Sequence, residues 1–349
     1  MSLSNNVAIR RPAQLGDIVT IDLQMVPEHG YVPESLFDTS GIVTFVLGWG
    51  NYLPGLHQLV QGLSAGETLE QVSVDAGYGA RRDDLLLEVP RTKLRQLLQK
   101  QQKQQEDDES LSWHVGMSLT LPGNIAVSIH QMGDETVILD ANPPLAGTSY
   151  ACSLQVIQVE SPPSTDLIND DTTTRIPQSP YHVASFALGC FWGAELAFLR
   201  LPGVVGTQVG YSQGTTVSPT YEQVSSGTTQ HREVTMVIYD SRIVSYEQLL
   251  CIALERLEQT TSSLELHQLF QQQDDDEDSY QYKHGFYFHS ARQEKSAREC
   301  LKESKNSRFG IELLPCATFY KAEEYHQQYL FKGGQSAKKG SKETIRCFG

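Results

Sequence analysis

One cysteine lies between glycines and large aromatic residues in the stretch SFALGCFWGAELAFLRLPGV, residues 185–204. Cys190 follows Gly189 where the pattern predicts that a short strand meets a helix, and Phe191 and Trp192 come next. A thiol in the first turn of a helix faces unpaired N–H groups and the positive end of the helix dipole, which favours the thiolate. Beside two aromatic rings, such a nucleophile suits a methyl group or thioether. On composition alone, a buried cysteine that simply begins an amphipathic helix is equally consistent.

Further polar groups occur in the Gly- and Ser-rich segments GYSQG, SPTYEQVSSG and HREV, where catalytic groups tend to lie. Taken singly, each has a plain structural interpretation. Glu233 would be a solvated charge at the head of a strand, and His231 a turn residue. Tyr221 and Tyr282 would be core or rim tyrosines. As a set they favour a catalytic site around Cys190.

The order and spacing of four blocks, GCFWGAE, GYSQG, PTYEQVSSGTTQHREV and FYKAEEYHQQYL, resemble the peptide methionine sulfoxide reductase A family from about His182 to Gly349. The closing KGGQSAKKGSKETIRCFG resembles its plant-type branch. The resemblance implies an α/β-sandwich domain that reduces free and peptide-bound methionine S-sulfoxide. It also implies no bound cofactor or metal, and thioredoxin as electron donor.

The same resemblance implies a role for each site residue. The Cys190 thiolate would attack the sulfoxide sulfur, and Glu233 would donate a proton to the oxygen. Cys190 would become a sulfenic acid, which a second thiol converts to a disulfide that thioredoxin reduces. Tyr221 and Tyr282 would hydrogen-bond the oxygen, and the substrate-binding residues would be Phe191, Trp192 and His231.

Three departures from the family pattern leave an alternative open. Plant-type relatives carry a cysteine at the position of Ser341, so Cys347 is the candidate resolving thiol. The acidic run at 274–278 replaces a glycine-rich loop and would raise the Cys190 pKa, and LEQ at 257–259 replaces His-Asp-Pro. The alternative is a client-binding chaperone with a decayed reductase domain. A thiol hydrolase would need a paired histidine and an orienting Asn or Asp, and no matching block occurs.

The N-terminal half has a β pattern. In DIVTIDLQM apolar and polar residues alternate, which predicts a half-buried strand, and YACSLQVIQVE alternates similarly as the last strand. Between them GLHQLVQGL predicts a short helix. We therefore expect a curved sheet around a helix, with an insertion at about residues 83–133.

Segments of this half, among them LFDTSG, VDAGYGARRDD and LDANPPLAG, resemble the SlyD-type branch of the FKBP peptidyl-prolyl isomerases from about Gly16 to Glu160. The resemblance implies an FKBP-like antiparallel sheet, a flap insert that binds unfolded chains, and isomerase activity. From pattern alone a plain barrel core is preferred, and Cys152 stands where a pocket phenylalanine is common. The implied pocket residues are Phe37, Asp38, Leu53, Leu56 and Tyr78.

The chain as a whole is thus predicted to be a multidomain α+β protein. We expect one domain at 1–160, a Pro/Ser/Thr/Asp-rich linker at 161–181 and a second domain at 182–349. In the second domain KAEEYHQQYL predicts a short helix, followed by a mobile tail. Tethering a client-binding module to the reductase would raise the local concentration of client at Cys190.

Bulk properties limit the partners. The net charge of −15 argues against nucleic acid and anionic membranes, which attract clustered Lys and Arg. The six cysteines of the 349 residues show no CxxC spacing, as is typical of a reducing compartment. No apolar run is long enough to span a bilayer. We therefore expect a cytoplasmic protein whose partners are oxidised or unfolded proteins and thioredoxin.

Overall fold

The computed structural model describes residues 11–29, 36–50, 52–101, 113–121, 125–166, 179–268, 280–302 and 309–346. The strands of the N-terminal half are β1 (Ile18–His29), β2 (Ser40–Val46), β3 (Thr68–Asp75), β4 (Leu86–Pro90), β5 (Ser118–Leu121), β6 (Ile125–Met132), β7 (Thr136–Asp140) and β8 (Ser149–Glu160). Its helices are α1 (Pro54–Val60) and α2 (Arg91–Gln101).

The strands of the C-terminal half are β9 (Tyr181–Ala187), β10 (Val204–Ser212), β11 (Arg232–Asp240), β12 (Gly285–Phe288), β13 (Glu312–Pro315) and β14 (Tyr320–Lys321). Its helices are α3 (Phe191–Leu199), α4 (Tyr221–Ser225), α5 (Tyr246–Gln268), α6 (Ala291–Leu301) and α7 (Tyr329–Lys332).

The first sheet has the strand order β2-β1-β8-β3 and is antiparallel throughout. Val19, Ile21 and Leu23 of β1 point into the core that α1 covers, while Asp22 and Gln24 are exposed. This alternation is the one that predicts the strand, and the prediction is confirmed. Helix α1 has a proline in its first turn, where the missing N–H leaves no helical hydrogen bond unmade.

The insertion forms a second antiparallel sheet, in the order β4-β7-β6-β5, with its own core around Leu94 and Leu139. Its predicted end at about residue 133 is too early. Strand β7, which pairs with both β4 and β6, reaches Asp140.

The C-terminal half contains a six-stranded sheet in the order β13-β12-β9-β11-β10-β14. All of its pairings are antiparallel except that of β12 with β13. Every residue of β11 is buried, because both faces of the sheet are covered. On one face Val237 packs with residues of α3 and α5, and on the other Met236 and Ile238 pack with Ile18 and Val46 of the first sheet. The two halves therefore share a core.

The helix predicted over KAEEYHQQYL is wrong. The segment runs from β14 through turns, and only its last two residues, Tyr329 and Leu330, are helical, as the start of α7. The Gln327 side chain bonds the backbone of Val209 and Ala322 instead of facing solvent. Gln328 has φ 47° and ψ 37°, a left-handed conformation that cannot continue a right-handed helix.

The prediction of a mobile tail is also wrong for the part of the tail that the structure describes, which ends at Arg346. Arg200 Nε donates to the Ser336 carbonyl at 2.7 Å, and the Gly340 N–H donates to the Arg200 carbonyl at 2.7 Å. Lys339 Nζ bonds the carbonyls of Leu199 and Val204 at 2.6 and 2.7 Å. The tail is thus fastened to the end of α3. Within the described residues, no helix is both long and apolar enough to cross a membrane.

Candidate active site

Cys190 is the N-cap residue of α3 and is half-buried. The preceding Gly189 has φ +76°, a conformation that disfavours other residues and turns the chain sharply from β9 into the helix. The Phe191 N–H, directly after the thiol, donates to Glu233 Oε2 at 3.1 Å. A carboxyl group from another strand thus satisfies one of the free N–H groups that begin the helix.

Glu233 is the second residue of β11, where it pairs with Tyr211 of β10, and is only 2% exposed. Burial, and secondly the nearby charge of Cys190, raise its pKa well above the usual range, although the Phe191 N–H opposes this. The carboxyl therefore keeps its proton to a higher pH than an exposed glutamate does. A carboxyl group that keeps its proton to a higher pH is suited to act as a general acid.

Tyr221 and Tyr282 approach the same place from two different loops. Tyr221 begins α4, whose capping box joins Thr220 and Gln223, and Tyr282 ends a short 3-10 turn that begins at Tyr280. The two tyrosine side chains lie close enough for each to affect the pKa of the other. Burial, then the charges of Glu233 and Cys190, raise the pKa of both phenols, so they remain donors. The structure therefore brings these tyrosines together with Cys190 and Glu233.

One side of this group is formed by the rings of Trp192, His326 and Tyr329, which we call the aromatic wall. Trp192 is half-buried and stacks on Tyr329 with ring centroids 4.1 Å apart. Its indole N–H donates to His326 Nδ1 at 3.2 Å, and the His326 ring lies 4.7 Å from that of Tyr221. Phe191 is 1% exposed, so it packs beneath the wall while Trp192 offers the open surface.

His231 lies at the start of β11 but packs elsewhere. Its ring is buried against Gly214 and lies 5.8 Å from the ring of Tyr320. A methyl group added to Gly214 would come within 2.1 Å of His231 Nδ1, so the glycine is required for this packing. Burial lowers the pKa of His231. The contacts that the structure gives this ring do not include Cys190, and its predicted substrate-binding role stays a prediction.

The sequence patterns did not identify several residues of the site. Glu323 accepts hydrogen bonds from the Tyr211 hydroxyl at 2.8 Å and from the Tyr221 N–H at 2.9 Å, and so joins β10 to α4. His326 and Tyr329 form the wall with Trp192. All three belong to the block FYKAEEYHQQYL, of which the part KAEEYHQQYL is predicted to be a helix. The signal available was the concentration of aromatic and acidic residues in this block.

Two features predicted for this site lie outside the described residues, namely Cys347 and the acidic run at 274–278, and so does most of the predicted linker, at 167–178. The chain just before Cys347 is held in place. The Arg346 N–H donates to Gln335 Oε1 at 3.0 Å, and Gln335 Nε2 donates to the Arg346 carbonyl at 2.8 Å. Gln335 is in turn bonded through its own N–H to Leu330, next to Tyr329 of the wall.

Residues predicted for the N-terminal pocket also converge. Leu53 and Leu56 are fully buried in one core with Phe37, and Tyr78 packs against it. Asp38 lies at the edge, where its backbone carbonyl accepts a hydrogen bond from Tyr52. The Phe37 ring makes an edge contact with Phe331 of α7, with ring centroids 6.2 Å apart. A cavity of about 50 Å³ remains between Phe37, Tyr52, Gln328 and Phe331.

Comparison with known proteins concerns the half that carries Cys190. A family model described as peptide methionine sulfoxide reductase matches residues 182–346. The chain is 42% identical over 200 residues to peptide methionine sulfoxide reductase A4, chloroplastic, of Arabidopsis thaliana, covering 55% of this chain and 74% of that protein. It is 46% identical over 170 residues to peptide methionine sulfoxide reductase A2-1 of Oryza sativa subsp. japonica, covering 48% and 86%. A solved structure, methionine sulfoxide reductase A of Corynebacterium diphtheriae, is 30% identical with a TM-score of 0.34, covering 48% of this chain and 82% of that chain.

Proposed function

The chain belongs to the peptide methionine sulfoxide reductase family, and we propose that it reduces the S epimer of methionine sulfoxide, free and peptide-bound, through Cys190. The observation that carries this proposal is the hydrogen bond from the Phe191 N–H to Glu233. It joins the first turn after the thiol to a buried carboxyl with a raised pKa. A nucleophile and a proton source thus lie side by side.

In the proposed reaction the Cys190 thiolate attacks the sulfoxide sulfur while the Glu233 carboxyl gives its proton to the sulfoxide oxygen. The oxygen passes to the cysteine sulfur, the thioether leaves as methionine, and Cys190 becomes a sulfenic acid. Two electrons move from the cysteine sulfur to the substrate sulfur, and solvent returns a proton to Glu233. Tyr221 and Tyr282, both neutral donors, stabilise the oxygen as it gains negative charge. Trp192 and the wall receive the substrate methyl group.

We propose that Cys347 resolves the sulfenic acid. Its sulfur would form a disulfide with Cys190, the sulfenic oxygen would leave as water with the proton of the Cys347 thiol, and thioredoxin would return both residues to thiols. The hydrogen bonds between Arg346 and Gln335 support this step, because they fasten the residue before Cys347 to the segment that leads to Tyr329. No bound cofactor takes part in this scheme.

The test is turnover of a peptide containing methionine S-sulfoxide, with thioredoxin and its reductase or with dithiothreitol. We expect Cys190→Ser to abolish turnover under both conditions, and Cys347→Ser to abolish it with thioredoxin only. Cys251→Ser, which changes an exposed cysteine of α5, is the matched control. Turnover by Cys347→Ser with thioredoxin would exclude Cys347 as the resolving thiol. Absence of turnover by the unmutated protein would reject the reductase and favour a client-binding protein with a decayed domain.

We further propose prolyl isomerisation by the N-terminal half, on the observation that Phe37, Leu53, Leu56 and Tyr78 share one apolar core. Desolvation of a prolyl amide there would lower the rotation barrier of ~18–20 kcal/mol. Phe331 covers Phe37, so the activity should rise in Phe331→Ala, with folding checked by circular dichroism. If neither Phe331→Ala nor the unmutated protein catalyses prolyl isomerisation faster than a buffer blank, this proposal is rejected.

Oxidised and unfolded proteins are the clients that these two activities suit, and the insertion sheet is the proposed place where unfolded chains bind. The cytoplasmic location stays a prediction, and the Arabidopsis relative named above is described as chloroplastic. Fractionation of cells that express the tagged full chain tests the location directly.

A further inference from the structure

We propose that the N-terminal half positions the substrate wall of the reductase site, and that Gln328 is the positioning residue through which it does so. The proposal rests on the reductase function assigned to Cys190. It gives the N-terminal half a structural role in the neighbouring site that is independent of isomerase activity.

Gln328 is 2% exposed and lies between the two halves. Its backbone N–H donates to Glu195 Oε2 at 2.8 Å, and its side-chain nitrogen donates to Glu195 Oε1 at 3.0 Å. The same nitrogen donates to the Trp49 carbonyl of the N-terminal half at 3.2 Å. Both amide hydrogens are therefore used, one for an acceptor in each half.

The backbone of Gln328 has an unfavourable conformation, with φ 47°. Its left-handed conformation costs a residue with a Cβ free energy, so surrounding contacts must maintain it. The hydrogen bonds to Glu195 and to the Trp49 carbonyl are the contacts that do so. If the Trp49 bond is lost, one of the restraints on this conformation is lost.

The residues on either side of Gln328 form the wall. His326 accepts the Trp192 indole N–H, and Tyr329 stacks on the same indole ring. A backbone rotation at Gln328 changes the position of Tyr329 relative to His326, and Trp192 contacts both. Glu195 lies on α3, the helix whose N-cap residue is Cys190, so the Gln328 bonds also join the wall to the helix of the nucleophile.

A second set of contacts holds the chain after Gln328. The Phe331 ring packs on Phe37, and the Ala337 N–H donates to the Leu36 carbonyl at 2.8 Å. The N-terminal half therefore contacts the segment at Gln328, at Phe331 and at Ala337. We call these three contacts the brace, because together they hold residues 328–337 in one position.

The alanine variant of Gly50 tests the brace from the N-terminal side. Gly50 has φ +73°, and a Cβ there would lie 2.3 Å from Gln328 Oε1, the end of a flexible side chain. The new methyl group should push the amide away from its acceptors. Gly62→Ala is the matched control, because Gly62 has φ +89° and no atom within 4 Å of the added Cβ. In both variants an alanine has to adopt a positive φ, but only the methyl group added at position 50 contacts Gln328.

We expect Gly50→Ala to raise the KM for a peptide sulfoxide about fivefold with kcat nearly unchanged, the effect of about one hydrogen bond. Amide hydrogen exchange over residues 326–333 should be faster than in the unmutated chain. Gly62→Ala should change neither measurement. In a Gln328→Ala background, Gly50→Ala should have no further effect, since the amide that it displaces is absent.

The proposal is overturned if Gly50→Ala and Gly62→Ala give the same KM and the same exchange, or if the effect of Gly50→Ala persists in the Gln328→Ala background. Hydrogen exchange does not depend on turnover. An inactive unmutated chain would therefore reject the reductase proposal, while the exchange of the two glycine variants would still decide the brace. If the unmutated chain is active but Gly50→Ala and Gly62→Ala have the same KM and the same hydrogen exchange, only the brace is rejected.

Discussion

Glu233 Oε2 accepts a hydrogen bond from the backbone nitrogen of Phe191, the residue that directly follows Cys190. One carboxyl oxygen is therefore fixed at the first turn of α3. The group is buried beside the thiol, and β11 holds it on a strand covered on both faces. Such a rigid support leaves the carboxyl little freedom to reach water, which is the reason that its pKa rises.

Glu233→Gln should remove the transferable proton while keeping an acceptor for the Phe191 N–H. We expect kcat/KM to fall by about 10²–10⁴-fold, the usual contribution of a general acid. Because a raised pKa means that the acid form is lost as pH rises, the unmutated enzyme should lose activity on the alkaline side. That limb should be absent from the pH profile of Glu233→Gln. If the glutamine variant keeps the same alkaline limb, another group is the acid.

Tyr329→Ala should weaken substrate binding, because Trp192 loses the ring on which it stacks. An aromatic pair contributes about 0.5–1.5 kcal/mol, so we expect kcat/KM to fall by about two- to tenfold, chiefly through KM. Tyr329→Phe keeps the ring and should behave as the unmutated enzyme. A large loss in Tyr329→Phe would show that the hydroxyl, rather than the stack, matters.

Phe331→Ala should destabilise the whole chain, since the ring is buried in the N-terminal core although it belongs to α7. Removal of a buried phenylalanine costs about 3–5 kcal/mol, which urea denaturation measures. Ile157→Ala, at a residue of β8 that is 45% exposed, is the control and should cost much less. A change below about 1 kcal/mol in Phe331→Ala would mean that the two halves do not share this core in solution.

Glu195→Gln should change how stability depends on pH. Burial raises the pKa of Glu195 from 4.5 to about 8, so below pH 4.5 the carboxyl is protonated in both the folded and the unfolded chain. Between these values the unfolded chain releases the proton and the folded chain keeps it. The free energy of unfolding then falls by about 1.4 kcal/mol per pH unit and levels off above the folded pKa.

Urea denaturation between pH 5 and pH 8 measures the free energy of unfolding of the unmutated protein and of Glu195→Gln. Glu233 contributes equally to both proteins, so its effect cancels in their difference. The glutamine variant should gain stability over the unmutated chain as pH rises, by a few kcal/mol at most. A constant difference across this range would show that Glu195 ionises at its ordinary pKa.

Local patterns predicted much of the fold. The alternation in β1 and β8 depends only on residues two apart, and both strands are found. Cys190 at the start of a helix followed from the glycine before it and the apolar run after it. The segment from Lys321 to Leu330 has a composition that suits a helix, but most of it is not helical. Hydrogen bonds from Gln327 and Gln328 to distant strands and helices override that preference.

The sequence by itself determined where the thiol lies along the chain, which segments alternate and which four blocks mark the family, since each of these is a matter of residue type and short spacing. Only the tertiary structure decided that the Glu233 carboxyl meets the Phe191 N–H, that Tyr329 stacks on Trp192 and that Phe331 covers Phe37. These contacts join residues far apart in the chain. Burial and the charges around a group exist only once its neighbours have packed, and they alone set the raised pKa of Glu233.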